Sequence, residues 1–151
     1  MRSWCAFVVL GCVAAGAAGC SREPELRPIA TVEQIMEATI EPVSNAVFDA
    51  AVWVNGVQVG GPKNDNDWHM LEANARVLAE TGNLLMIGSR AKDQAGWLTR
   101  TRSMMDAANE AADAAHRKDI DGLFSAGTKI YQACTGCHLQ YINPAVTPAA
   151  N

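Results

Sequence analysis

Residues 119–142 read DIDGLFSAGTKIYQACTGCHLQYI. Ile120, Leu123, Gly127, Ile130, Cys134, Cys137 and Tyr141 recur at three- and four-residue intervals, the spacing that lays side chains along one stripe of an α-helix. Asp119 precedes the run as an N-cap, and Asn143-Pro144 follows it as a stop. Inside the stripe, Cys134-Thr135-Gly136-Cys137-His138 spells CxxCH. On a helix the i and i+3 thiols share a face, and His138, which is i+4 from Cys134, projects toward the same face. The stretch predicts a helix whose last turns present two thiols and one imidazole together.

That cluster is the attachment signature of c-type haem. The thiols are spaced for the two vinyl groups of one covalent haem c, and the imidazole of His138 is placed as an axial iron ligand. Three other chemistries use the same residues. A closed zinc site wants four protein ligands, and after Cys134, Cys137 and His138 only His69 and His116 remain as nitrogen donors, at unrelated spacings. A thioredoxin-like redox pair calls for a βαβ setting, and no such strand pattern precedes Cys134. A plain disulfide between Cys134 and Cys137 suits an exported chain.

Export is written at the other end. Arg2 is followed by an apolar run from Trp4 to Ala18, and Ala17-Ala18-Gly19 sets small residues immediately before Cys20, the layout of a secretory signal. The stretch resembles a bacterial lipobox, which implies removal of residues 1–19 as a signal peptide and a lipid on Cys20. Residues 20–30, with Pro24 and Pro28, then form the lipidated cysteine and a tether. Ser21 stands where the inner-membrane retention signal of such lipoproteins would have Asp, so the resemblance implies the periplasmic face of the outer membrane. A soluble periplasmic product and a retained anchor, with Arg2 and Arg22 bracketing an uncharged span, are the alternatives. Either processed form leaves Cys134 and Cys137 as the thiols of the folded domain, because Cys5 and Cys12 go with the signal and Cys20 carries lipid.

Three more helices are predicted between these ends. Val32, Met36, Ile40, Val43, Val47, Ala51 and Val54 give a first helix over 32–54, with Pro42 expected to kink it. Asp65 or Asp67 caps a second through Trp68, Leu71, Ala75, Leu78 and Leu85, with Gly82 weakening its middle. A third starts near Asp93 and runs through Trp97, Thr101, Met104, Ala108, Ala111 and Ala115. Val52-Trp53-Val54 and Val57-Gln58-Val59 around Asn55-Gly56 offer a competing small hairpin. Short connections make neighbours antiparallel, so the expected fold is an all-α, up-down-up-down four-helix bundle with haem attached near the end of the last helix. The domain spans 31–142, and 143–151 is a tail.

A CxxCH near the C-terminal end of the fourth helix is what the cytochrome c′ and c556 family has, and residues 31–142 resemble that family. The resemblance implies a distal residue drawn from the first helix: a methionine gives a low-spin electron carrier, an apolar residue a five-coordinate haem that binds small gases such as NO or CO. Met36 is the only Met or His on the predicted first helix and lies on its apolar stripe. It is the candidate distal ligand, and no methionine follows His138. Leu139-Gln140-Tyr141-Ile142 departs from the family in lacking a basic residue after the ligand histidine.

Met104 lies on the third stripe, but the resemblance gives it no ligand role; Met70, Met86 and Met105 fall beside their stripes as gap-fillers. His69 reads as a capping or solvated residue, with bis-histidine ligation as the sharper alternative. His116 complements a helix dipole. Arg90, Arg100 and Arg102 are candidate partners for haem propionates or solvated surface charges, and Tyr131 and Tyr141 for pocket lining or bundle-end packing.

The 151 residues, 49% of them hydrophobic, suffice for one folded domain. Twelve Lys+Arg against sixteen Asp+Glu leave a formal charge of −4, which supplies no field for nucleic acid. No triad, phosphate loop or close carboxylate pair suggests an enzyme. The expectation is an exported monohaem carrier of single electrons, working with redox partner proteins at a membrane to which Cys20 lipid holds it, with a homodimer compatible. A gas-binding haem protein and a haemless disulfide lipoprotein are the alternatives.

Overall fold

The computed structural model describes residues 25–142 and is all-α apart from one two-stranded hairpin. The expected signal peptide 1–19, Cys20, the first part of the tether, and the tail 143–151 with its Asn143-Pro144 stop lie outside the described residues. Four helical stretches make up the fold. The first is built of α1 (Val32–Ile35), a π segment (Met36–Ile40) and α2 (Glu41–Asp49), which follow one another without a break. The hairpin strands β1 (Trp53–Val54) and β2 (Val57–Gln58) come next, then α3 (Asp65–Leu85), α4 (Gly96–His116) and α5 (Ile120–Tyr141). Among the described residues no helix is long and apolar enough to cross a membrane.

Thr31 starts the first stretch with a capping box: its Oγ1 accepts from Gln34 N–H at 3.1 Å, and Gln34 Oε1 accepts from Thr31 N–H at 2.9 Å. Pro42 does shape this helix, but through a wider turn placed ahead of it. Glu41 N–H reaches back five residues to Met36 C=O, opening the π turn that Pro42, with no N–H to offer, then follows. The extra residue in that turn moves the inward face. Ile35, Ile40, Ser44 and Val47 are buried, whereas Met36 and Val43 from the predicted stripe are only half-buried.

The first stretch also ends earlier than 54. It stops at Asp49, and Val54 belongs to β1 with 51% of its surface exposed. Asn55 and Gly56 decide the outcome. Both adopt positive φ, 51° and 78°, the conformation of a tight primed turn, and strand pairing sets Val54 opposite Val57. A helix cannot pass through two such residues.

The cap of α3 is Asn64, not Asp65 or Asp67: its side chain accepts from Asp67 N–H at 3.0 Å, while Asp67 Oδ2 reaches back to Lys63 N–H at 2.8 Å. Asp119 caps α5 as expected, whereas the N-cap position of α4 is Ala95 and Asp93, two residues ahead of it, supplies the side-chain acceptor. Asp93 Oδ1 accepts from the N–H groups of Ala95, Gly96 and Trp97, and Asp119 Oδ1 from Gly122.

Helix α4 packs closely on both α3 and α5. Its composition explains this. Ala107, Ala108, Ala111, Ala112, Ala114 and Ala115 are all buried, and side chains this short let two neighbours approach on different faces of one helix. Gly82 serves the same approach from α3, since a Cβ there would strike the Met105 side chain. The first stretch packs against α3 and, more sparsely, against α5. Leu78, Leu123, Ile130 and Val47 are the largest fully buried side chains at the centre.

Candidate functional site

The sparse contact between the first stretch and α5 leaves a cavity of about 310 Å3 at their junction with α4. Cys134, Cys137 and His138 reach it from α5, Met36 and Ile40 from the π segment, and Met104 and Arg100 from α4. Every iron-site residue expected from the sequence therefore opens on one space. Its walls are mainly apolar, and include Leu85 from the predicted second stripe and Phe48, which periodicity did not single out.

The two cysteines are free thiols and half-buried. Burial pushes the Cys134 thiol above its ordinary pKa, and proximity to Cys137 adds to the rise. Burial also raises Cys137, against which the Arg100 guanidinium acts in the opposite direction. Both thiols are consequently held in the protonated form at neutral pH. His138 is exposed on the rim, and its carbonyl closes the helix by accepting from Ile142 N–H at 2.9 Å.

Met36, the first residue of the π segment, is half-buried and lines the same cavity. Met104 of α4 is buried and lines it as well. Met70, Met86 and Met105 do not line the cavity, nor does His69, so bis-histidine ligation through His69 has no support in its position. His116 stands at the far end of α4 with Nδ1 3.1 Å from Glu72 Oε2.

The remaining candidates separate by what they touch. Arg90 is buried and fully engaged: Nε and Nη2 donate to Ala30 C=O at 3.0 and 2.8 Å, and Nη1 donates to Leu84 C=O at 3.0 Å. It is a clamp, not a propionate partner. Arg102 is exposed and off the cavity, whereas Arg100 lies on its wall. Tyr131 lines the cavity and meets Phe48 edge-on at 6.5 Å between centroids. Tyr141 does not; it packs edge-on against Trp97 at 5.0 Å and donates its hydroxyl to Asp93 Oδ2, fastening the last turn of α5 to the start of α4. Burial first and the Asp93 contact second push its phenol up to about 12.

These residues suit a haem. Two thiols at helix spacing, an imidazole and a thioether line one mainly apolar pocket, whose volume is at the lower end of the range of cofactor pockets. A zinc cage is not supported, since among the described residues no group of three or more His, Cys, Asp or Glu is arranged to hold a metal. No protein-family model, curated protein or solved structure matches this chain.

Proposed function

We propose that the chain is an exported monohaem c-type cytochrome of the c′/c556 kind, an up-down-up-down four-helix bundle that passes single electrons between partner proteins at a membrane surface. One observation carries the reading: Cys134, Cys137 and His138 of α5 and Met36 of the first stretch all line the same apolar cavity. The antiparallel order is supported by contacts between helix ends. Trp97 Nε1 at the start of α4 donates to Leu85 C=O at the end of α3, Lys118 after α4 reaches Asp65 at the start of α3, and Tyr141 at the end of α5 donates to Asp93 just ahead of α4.

In this reading the sulfurs of Cys134 and Cys137 would hold haem c, and His138 and Met36 would supply an imidazole nitrogen and a thioether sulfur as iron ligands. The bound haem supplies the one-electron chemistry of iron. Ile40, Leu85 and Met104 keep water from the inner wall, and the position of His138 on the rim leaves that edge within reach of a docking partner. Lipid on Cys20 would hold the domain at the periplasmic face of the outer membrane.

The test is mass spectrometry of the denatured protein after expression with haem-attachment machinery. The expected result is a retained haem-sized mass that Cys134→Ala with Cys137→Ala abolishes. Two unmodified thiols in the wild-type protein would overturn the reading. Low spin in both oxidation states supports the carrier, and high spin in both the gas-binding alternative.

A further inference from the structure

We propose that Arg100 makes the cavity selective for a ligand bearing a carboxylate, and that Gln140 and Gly136 position its guanidinium for that task. Identifying this carboxylate with the acidic edge of a haem rests on the reading above. The selectivity itself rests on three independent features of the wall.

First, Arg100 is an unpaired cation on an apolar cavity. The ion pairs among the described residues engage Arg76, His116, Arg117, Lys118 and Lys129, and none involves Arg100. Glu41, the one carboxylate on the lining, is exposed and forms no ion pair with it. A half-buried charge beside apolar walls is costly until an anion meets it.

Second, the guanidinium is held by one edge. Arg100 Nε donates to Gln140 Oε1 at 2.8 Å, and Gln140 Nε2 donates to the Tyr141 hydroxyl at 3.1 Å, which in turn donates to Asp93. This chain fixes the Nε edge against α5 and leaves the Nη groups as the donors that a carboxylate can engage.

Third, the resting place of Nη1 requires a glycine. It lies over Gly136, where any Cβ would collide with it. The residue between the two thiol positions thus admits the cation to the wall. Arg90, by contrast, spends its donors on backbone carbonyls and has no such opening.

The experiment titrates the full chain without haem, following tryptophan fluorescence, with metal-free protoporphyrin IX and its dimethyl ester, and in parallel with dodecanoate and dodecanol. The wild type is expected to bind each acid about ten-fold or more tightly than its neutral counterpart, the size of a charge-assisted hydrogen bond. Arg100→Leu should lose that ratio while binding the neutral probes as before, and Arg100→Lys should keep only part of it. Gly136→Ala should also lose it with no fall in melting temperature, because the added methyl displaces the guanidinium while improving helix propensity. Gln140→Leu should lower the ratio without removing it, which a purely structural residue would not do. An acid preference absent in the wild type, or unchanged across Arg100→Leu, Arg100→Lys and Gly136→Ala, overturns the proposal. If neither porphyrin binds but dodecanoate keeps an Arg100-dependent preference, the carboxylate site stands and the haem reading falls.

Discussion

The two sides of α5 are built on opposite principles. Toward α4 it meets a face of alanines, with Leu123, Ala126 and Ile130 buried to about 1% exposure or less. Toward the first helical stretch it meets a π turn, half-buried Met36 and a cavity. The same helix thus anchors the core with its N-terminal half and opens a site with its C-terminal half. A close-packed seam transmits any lost methylene into stability, whereas a seam that already contains empty volume has fewer neighbours to lose.

Substitutions should separate the two seams by size of effect. Leu123→Ala, in the buried N-terminal half of α5, is expected to lower unfolding free energy by about 2–5 kcal/mol in urea titrations, because it removes a fully buried side chain and leaves a hole. A change near zero would mean that α4 and α5 do not form the core. Arg90→Ala removes three charge-assisted bonds to Ala30 and Leu84 and should cost about 1.5–3 kcal/mol, with faster hydrogen exchange confined to the first turn of α1 and the end of α3. Exchange that rises uniformly instead would make the clamp part of the global core.

Met36→Ala sits on the open side and should change the stability of the haem-free chain by less than about 1 kcal/mol, since its side chain is already half-exposed. In the haem-loaded protein the same substitution should convert a low-spin spectrum to high spin and accelerate carbon monoxide binding while the covalent haem remains. A spectrum unaffected by it would reduce Met36 to packing. The smallest effect concerns Tyr141, whose phenol is raised to about 12. A raised folded-state pKa adds stability that is complete below the ordinary phenol value and disappears as pH rises through 12. The melting temperature should therefore fall more steeply in that window for the wild type than for Tyr141→Phe.

The closed seam was the more legible one. Trp97, Thr101, Met104, Ala108, Ala111 and Ala115 are expected on one stripe of α4 and all are buried, Ala108, Ala111 and Ala115 in the close-packed part and Thr101 and Met104 where the stripe runs on to the cavity. Regular periodicity reports regular packing. The open seam departs from that regularity, and the departures were invisible to it. A five-residue π turn carries no period of its own in a short window, so Ile35 and Ser44 were missed on the inward face. Asn55-Gly56 reads as a turn, but the apolar stripe carries the predicted helix up to Val54, into what is the first strand of the hairpin.

The thiols and imidazole were readable because CxxCH places them within five residues. Their setting was not. Arg100 and Gln140 are 40 residues apart in sequence, and only the packing of α4 on α5 joins them over Gly136. Arg90 is illegible for the same reason: its partner Ala30 is 60 residues away, and a lone arginine in the short 3-10 turn Gly88–Arg90 carries no mark of burial.

That clamp has a mechanical consequence. If lipid on Cys20 holds the protein, every tug from the membrane travels along the tether and arrives at Ala30, six residues ahead of Met36. There the load passes sideways through the Arg90 guanidinium into the backbone at Leu84, at the C-terminal end of the 21-residue α3. The first turn of α1 is spared, and the wall that carries Met36 keeps its position while the domain is pulled about on its leash.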